Sequence, residues 1–292
     1  MADVDELSFK TPGGLTLRAT GWGNSNAPVV IMLHGGGQTR HAWQRTGQIL
    51  AERGYYAVAT DGRGHGDSDW DPAGNYDVEA YRDDLTEWIE YLGVPSPILI
   101  GASLGGFTSL LYEGLFDKPH CRAIVLVDIA PTVQPKGVQR VIDFMNAKPD
   151  GFASLDEAAD AIAAYLPHRK RPSDLSGLSK NLRQNDDGRY RWHWDPQFLV
   201  GKGKETSKEE GIALNNRLVN SAKTLAIPTL LVRGKLSDVV SYEDVQRLRE
   251  YAPHAEFVDI SDAGHMIAGD SNDPFSQAIV DFLERHVPLS TA

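Results

Sequence analysis

The chain has 292 residues, of which 40 are Asp or Glu and 29 Lys or Arg, giving a formal net charge of −11 with 41% hydrophobic and 24% charged residues. This balance describes an ordinary globular protein, long enough for one large core or for a core with an inserted subdomain. Net acidity argues against nucleic acid or an anionic membrane as partner, because such sites concentrate Lys and Arg, and the one basic cluster, His168-Arg169-Lys170-Arg171, sits between two prolines and reads as a solvated loop.

The first ten residues, MADVDELSFK, are acidic and lack the apolar centre of a signal peptide, and no run of about 18 apolar residues occurs, so the expectation is a cytoplasmic protein without membrane contact. The single cysteine, Cys121, precedes the strand-like AIVLVD and reads as a buried structural thiol.

In chain order, residues 7–10 and 15–23 read as two strands joined by the turn Thr11-Pro12-Gly13-Gly14. Apolar runs at 29–33, 55–60, 97–100, 123–127, 229–233 and 256–260 then alternate with helical patterns at 41–53, 78–92, 104–116, 242–251 and 273–286. Such alternation predicts a mostly parallel sheet of about eight strands flanked by helices. Roughly a hundred residues separate the runs ending at 127 and starting at 229, too many for a simple crossover. Helical patterns at 138–147, 155–165, 173–184 and 208–225 fill the gap. The expected organisation is therefore a core of residues 1–131 and 228–292 with a helical cap at 132–227.

Gly101-Ala102-Ser103-Leu104-Gly105 stands where an apolar strand gives way to a helix. Small residues two before and two after a serine allow the sharp strand–turn–helix bend that exposes a nucleophile, with the helix N-terminus beside its oxygen. At the end of the third strand, Leu33-His34-Gly35-Gly36-Gly37 supplies a loop in which a backbone N–H can approach a carbonyl, so Gly36 and Leu104 are the candidate oxyanion donors. His34 reads as a brace for that loop.

A serine hydroxyl needs a base, and the base an orienting carboxylate. His265, in Asp262-Ala263-Gly264-His265-Met266 after the last strand, falls on the same carboxyl-end rim as Ser103. His41, His168, His254 and His286 fall in helices or loops and read as surface groups. For the acid, Asp238 follows the penultimate strand and completes the order Ser103, Asp238, His265; it is preferred over its rival Asp128, which ends the strand before the insertion and reads as a residue at the base of the pocket.

Asp61-Gly62-Arg63-Gly64-His65-Gly66-Asp67-Ser68 reads as a compact turn, since no second His or Cys completes a metal site. Gly35 to Gly37 lack the spacing of a dinucleotide fingerprint, and no metal or cofactor is expected. Trp192 and Trp194 suit either packing within the insertion or the apolar roof of a substrate pocket, and on the second reading Trp43 and Phe107 would line its floor.

Together these residues resemble the α/β-hydrolase superfamily over nearly the whole chain outside the insertion. The resemblance implies Ser103 as nucleophile, His265 as base, Asp238 as acid and Gly36 and Leu104 as oxyanion donors. Epoxide hydrolases and haloalkane dehalogenases of similar outline carry aspartate at the elbow, where this chain has Ser103. The leading expectation is a serine hydrolase of a small to medium carboxylic ester or lactone, with a small-molecule ester as its partner. The rivals are a carbon–carbon bond hydrolase of the meta-cleavage type, for which Arg189 and Arg191 are the only suggestive cations, a cofactor-free perhydrolase-like activity, and a ligand receptor without turnover.

Overall fold

The computed structural model describes residues 3–167, 171, 173–200, 208–261, 263–265 and 273–289; of the basic cluster, residues 168–170 lie outside them. Among the described residues ten strands run in chain order as β1 (Val4–Lys10), β2 (Thr16–Trp22), β3 (Val29–Leu33), β4 (Tyr56–Asp61), β5 (Ile98–Ala102), β6 (Ala123–Val127), β7 (Leu182–Gln184), β8 (Tyr190–Trp192), β9 (Thr229–Gly234) and β10 (Glu256–Ile260). Eight of them form one sheet in the order β1-β2-β4-β3-β5-β6-β9-β10, while β7 and β8 make a separate antiparallel pair. β1 and β2 pair antiparallel, β2 runs antiparallel to β4, and every other pairing in the large sheet is parallel.

Strands covered on both faces read as continuous apolar runs, and β3, β5 and β6 are buried at every position. Alternation still sorts their side chains. Val29, Ile31 and Leu33 join one cluster, with Leu85 and Trp88 of α2 (Val78–Tyr91) and Leu110 of α3 (Leu104–Glu113). Val30 and Met32 join the other, with Leu50 of α1 (Gln44–Glu52) and Phe275, Ile279 and Phe282 of the C-terminal helix Asp273–His286. At about 1.5–3 kcal/mol for each large side chain fully removed from water, these two layers carry the stability of the molecule.

The insertion contains α4 (Pro135–Asn146), α5 (Leu155–Tyr165), the β7–β8 hairpin and α6 (Lys208–Thr224). Residues 173–184, expected as helix, instead form a 3-10 turn over Ser176–Lys180 and then β7. Leu182, Arg183 and Gln184 pair with Trp192, Arg191 and Tyr190. α6 does not stand over the site. Its Leu218 and Ala222 enter the first core cluster beside Leu110 and Leu111, which makes α6 part of the layer flanking the sheet, followed by α7 (Tyr242–Tyr251) with Val245 and Leu248 in the same cluster; the C-terminal helix is α8. The segments that roof the site therefore end before α6, short of the boundary at residue 227. Among the described residues no helix is long and apolar enough to cross a membrane.

Candidate active site

β5 delivers Ser103 to a bend with φ 47° and ψ −112°, and α3 begins at the next residue. Left-handed backbone at a non-glycine residue costs energy and persists only where the surroundings impose it. Here they do. A Cβ at Gly101 would strike the carbonyl oxygen of Gly105, and one at Gly105 would strike that of Leu33, so only glycines let β5, α3 and β3 close around the serine. The Ser103 N–H is held by the Val127 carbonyl on β6 at 3.2 Å.

His265, beyond β10, presents Nε2 to Ser103 Oγ at 3.3 Å, and its Nδ1–H donates to Asp128 Oδ2 at 2.7 Å. That bond fixes the tautomer in which Nε2 carries the lone pair facing the hydroxyl. Asp128 follows β6 directly, is fully buried, and is the second non-glycine residue of left-handed conformation, at φ 48°. Its carboxylate also accepts from the Gly234 N–H at 2.9 Å and the Ser237 hydroxyl at 2.6 Å. Charge-assisted bonds of this kind hold an acceptor in one orientation.

The expectation that Asp238 orients the imidazole is thus corrected. Asp238 lies four residues beyond Gly234, is 40% exposed, and pairs with Arg140 of α4 at 2.7 Å. The turn after β9 points Ser237 inward and Asp238 outward. The usable signal in the sequence was proximity to a strand end: Asp128 is the first residue after β6, on the strand hydrogen-bonded to β5. Ser237 was not foreseen at all, and an isolated serine in a turn gives no cue.

The glycine-rich loop is held at successive peptide groups. The Gly35 carbonyl accepts from His34 Nδ1–H at 2.8 Å and from the Gln38 N–H at 3.0 Å, while Gln38 Oε1 takes the Gly35 N–H at 2.9 Å. Because the peptide is planar and trans, pinning the Gly35 carbonyl sets the direction of the Gly36 N–H on the same unit. His34 Nε2 in turn accepts from the Gly62 N–H at 2.9 Å, so its ring braces the loop as a neutral imidazole, and burial holds its pKa below the ordinary value. Leu104 opens α3, where the first N–H groups lack intrahelical acceptors. Among the described residues, neither the Gly36 nor the Leu104 N–H is engaged in a hydrogen bond.

Asp61 anchors the turn after β4, accepting from the Arg40 and Asp67 N–H groups at 2.7 and 2.9 Å as well as from the Arg40 guanidinium. Arg63 forks onto Asp84 with two bonds of 2.7 Å. Among the described residues no group of three or more His, Cys, Asp or Glu is placed to hold a metal ion.

A cavity of about 600 Å³ extends from Gly36 and Gly37 beneath the inserted segments. Phe144, Met145, Tyr165, Leu166, Trp192 and Trp194 form its apolar walls, with His41, Lys180 and Asn181 on the polar side. The indoles of Trp192 and Trp194 stack at 4.9 Å and 12°. His41, expected at the surface, lies on this wall. Trp43, expected in the floor, is instead fully buried in the second core cluster, 6.2 Å from Phe275, because the 3-10 turn Arg40–Trp43 rotates it under the sheet. Phe107 packs on the first core cluster, and Asp128 is committed to His265, so neither lines the cavity.

A family model described as the alpha/beta hydrolase fold matches residues 28–271. An esterase of Mycobacterium tuberculosis is 29% identical over 261 residues, covering 87% of this chain and 82% of its own length. A 3-hydroxybutyrate-oligomer hydrolase of Cupriavidus necator is 28% identical over 253 residues, 84% of this chain and 85% of that protein. Among solved structures, E-2-(acetamidomethylene)succinate hydrolase superposes with a TM-score of 0.81 at 22% identity, covering 96% of this chain and all of the other, which is a likeness of fold.

Proposed function

The chain belongs to the α/β-hydrolase family, and from that premise we propose that it is a serine hydrolase of small to medium carboxylic esters or lactones with an apolar portion. The observation that carries this reading is the continuous relay from Asp128 through His265 to Ser103, at 2.7 and 3.3 Å. The relatives named an esterase and a 3-hydroxybutyrate-oligomer hydrolase support the same class of reaction.

In this mechanism Ser103 Oγ attacks the ester carbonyl as His265 Nε2 takes its proton, and Asp128 stabilises the imidazolium that forms. The N–H groups of Gly36 and Leu104 receive the negative oxygen, each worth about 3–4 kcal/mol in the transition state. His265 returns the proton to the leaving alcohol. A water deprotonated by the same nitrogen then attacks the acyl-enzyme, and collapse of the second tetrahedral intermediate frees the acid and restores Ser103. The acyl or alcohol portion lies against Trp192, Trp194 and Phe144, whose walls reward apolar contact.

The arginines that suggested a carboxylated carbon–carbon substrate are engaged elsewhere. Arg189 donates to the carbonyls of Asp150 and Gly151, both at 2.7 Å, and Arg191 pairs with Asp187 at 2.6 Å. The cations that do line the cavity, Arg171 and Lys180, are bound to Asp156 and Asp160 and to Gln44, and this supports the ester over an anionic diketone. The test is hydrolysis of p-nitrophenyl esters of increasing acyl length beside Ser103→Ala. Turnover by the wild type that vanishes in the variant is expected, and absence of turnover across the series overturns the reading.

A further inference from the structure

Three successive peptide groups of the glycine loop are each held by a different histidine. The Gly35 carbonyl is held by His34, and the Gly37 N–H donates to His65 Nε2 at 3.0 Å, the His65 ring being oriented through Nδ1–H to the Arg63 carbonyl at 3.0 Å. The Gly37 carbonyl accepts from His193 Nε2–H at 3.3 Å. His34 and His65 belong to loops of the sheet, whereas His193 comes from the insertion, one residue past β8. Its Nδ1 accepts the Gly66 N–H at 2.7 Å. One neutral tautomer therefore satisfies both bonds. Burial first, with His34 and Arg183 nearby, lowers the His193 pKa to about 3, so that tautomer persists over the working range of most hydrolases.

The hairpin is seated on the 64–67 turn by further contacts. The Asp195 N–H donates to the Gly64 carbonyl at 2.9 Å, the Tyr76 hydroxyl to Asp195 Oδ2 at 2.6 Å, and Arg183 to Asp67 Oδ1 at 2.9 Å. Each of these ties the insertion to the core without touching the glycine loop. His193 alone among them does both.

We propose that His193 is a positioning residue for the oxyanion hole: by holding the Gly37–Gln38 peptide group it makes docking of the inserted hairpin complete the restraint that His34 and Gln38 place on the Gly35–Gly36 peptide group, and so steadies the Gly36 N–H for the transition state. The proposal rests on the reading of Ser103 as nucleophile and of Gly36 as donor. It differs from a purely structural anchor, which would need the Gly66 bond and not the Gly37 bond.

The two bonds separate by side-chain length. In His193→Gln the terminal amide N–H falls near the old Nε2 and keeps the bond to Gly37. In His193→Asn the amide oxygen falls near the old Nδ1 and keeps the bond to Gly66. The expected result is a kcat for p-nitrophenyl ester within about threefold of wild type in His193→Gln, and a fall of about tenfold or more in His193→Asn with KM changed less than twofold. Amide exchange should quicken over residues 34–38 in the Asn variant while 64–67 stay protected. Equal kcat in the two variants, or losses that track melting temperature alone, would overturn the proposal. The exchange comparison also works without turnover: if the wild type hydrolyses no ester, the functional reading fails, while unchanged exchange at 34–38 in His193→Asn separately sinks the positioning role. Tyr76→Phe loosens the same hairpin at a distance and should show a milder form of the same exchange pattern, which keeps the test open should either His193 variant fold poorly.

Discussion

Asp128 and His265 lie 137 positions apart in the chain and meet at 2.7 Å, Oδ2 to Nδ1. Asp238, on the next strand's turn, faces Arg140. The two aspartates therefore make opposite predictions. Asp128→Asn should lower kcat by about 10³-fold or more, because the amide favours the wrong imidazole tautomer. Asp238→Asn should change kcat less than threefold, since it breaks only a half-exposed ion pair. Steady-state kinetics of the two variants side by side decide the matter, and the reverse ranking would return the acid's role to Asp238.

A side chain at Gly36 meets Phe198. A Cβ there would already sit 3.1 Å from Phe198 Cζ, so a branched residue has to displace either that ring or the loop. Gly36→Val should reduce kcat by about 10²-fold, with a smaller effect on KM, because the donor is most needed where charge develops. Equal effects on both constants would place Gly36 in ground-state binding instead.

Trp192 tests the cavity. It is stacked on Trp194 and lies on the apolar wall. Removing it in Trp192→Ala should lower kcat/KM for the longest accepted acyl chain by about tenfold, the worth of roughly half a buried aromatic side chain. The acetyl ester, which needs little of that wall, should change less than twofold. A uniform loss across chain lengths would mean that the indole serves the insertion's packing rather than the substrate.

The His193 imidazole predicts a pH dependence of stability. Its pKa moves from the ordinary 6.5 down to about 3 in the folded protein, so between those values the unfolded chain binds a proton that the folded chain refuses. Stability from this group is therefore complete above pH 6.5 and falls as the pH drops through that window. In His193→Gln the slope of unfolding free energy against pH, measured by urea titration from pH 6.5 to 4, should be shallower by up to about 1.4 kcal/mol per unit. His34, Arg183, Asp67 and His65 remain in both proteins, so the difference isolates His193; parallel slopes would mean that the ring is protonated in the native state.

The sheet was legible because its signal is local: apolar runs of strand length alternate with helical periods, and Ser103 and His265 both lie just past such runs. The acid was not, because Asp128 and Asp238 both follow strands and the choice depends on how far each lies beyond the last sheet residue and which way the turn rotates. Residues 173–184 depart from their helical pattern for a different reason. β7 has helix-compatible residues, and its extended form depends on pairing with β8, a partner six residues further on. Trp43 carried the right chemistry for a pocket, but a 3-10 turn sent it to the opposite side of the sheet. The histidine bracing of the glycine loop was half visible, in His34. His65 and His193 depend on two loops and an insertion converging, which no local pattern records.

Ser103 and Asp128 occupy left-handed backbone just past the ends of neighbouring strands, each at a cost of about 1–3 kcal/mol relative to a relaxed residue. Glycine at position 103 would relieve that cost at the expense of the chemistry, whereas glycine at 128 would strip the Gly234 N–H, the Ser237 hydroxyl and His265 of their shared buried acceptor. A duplicated copy of this chain, released from selection for turnover, would thus gain thermostability by losing its nucleophile while keeping its acid. The expected evolutionary relic of this protein is a more robust scaffold with glycine at position 103, and its melting temperature would record what the active enzyme forgoes.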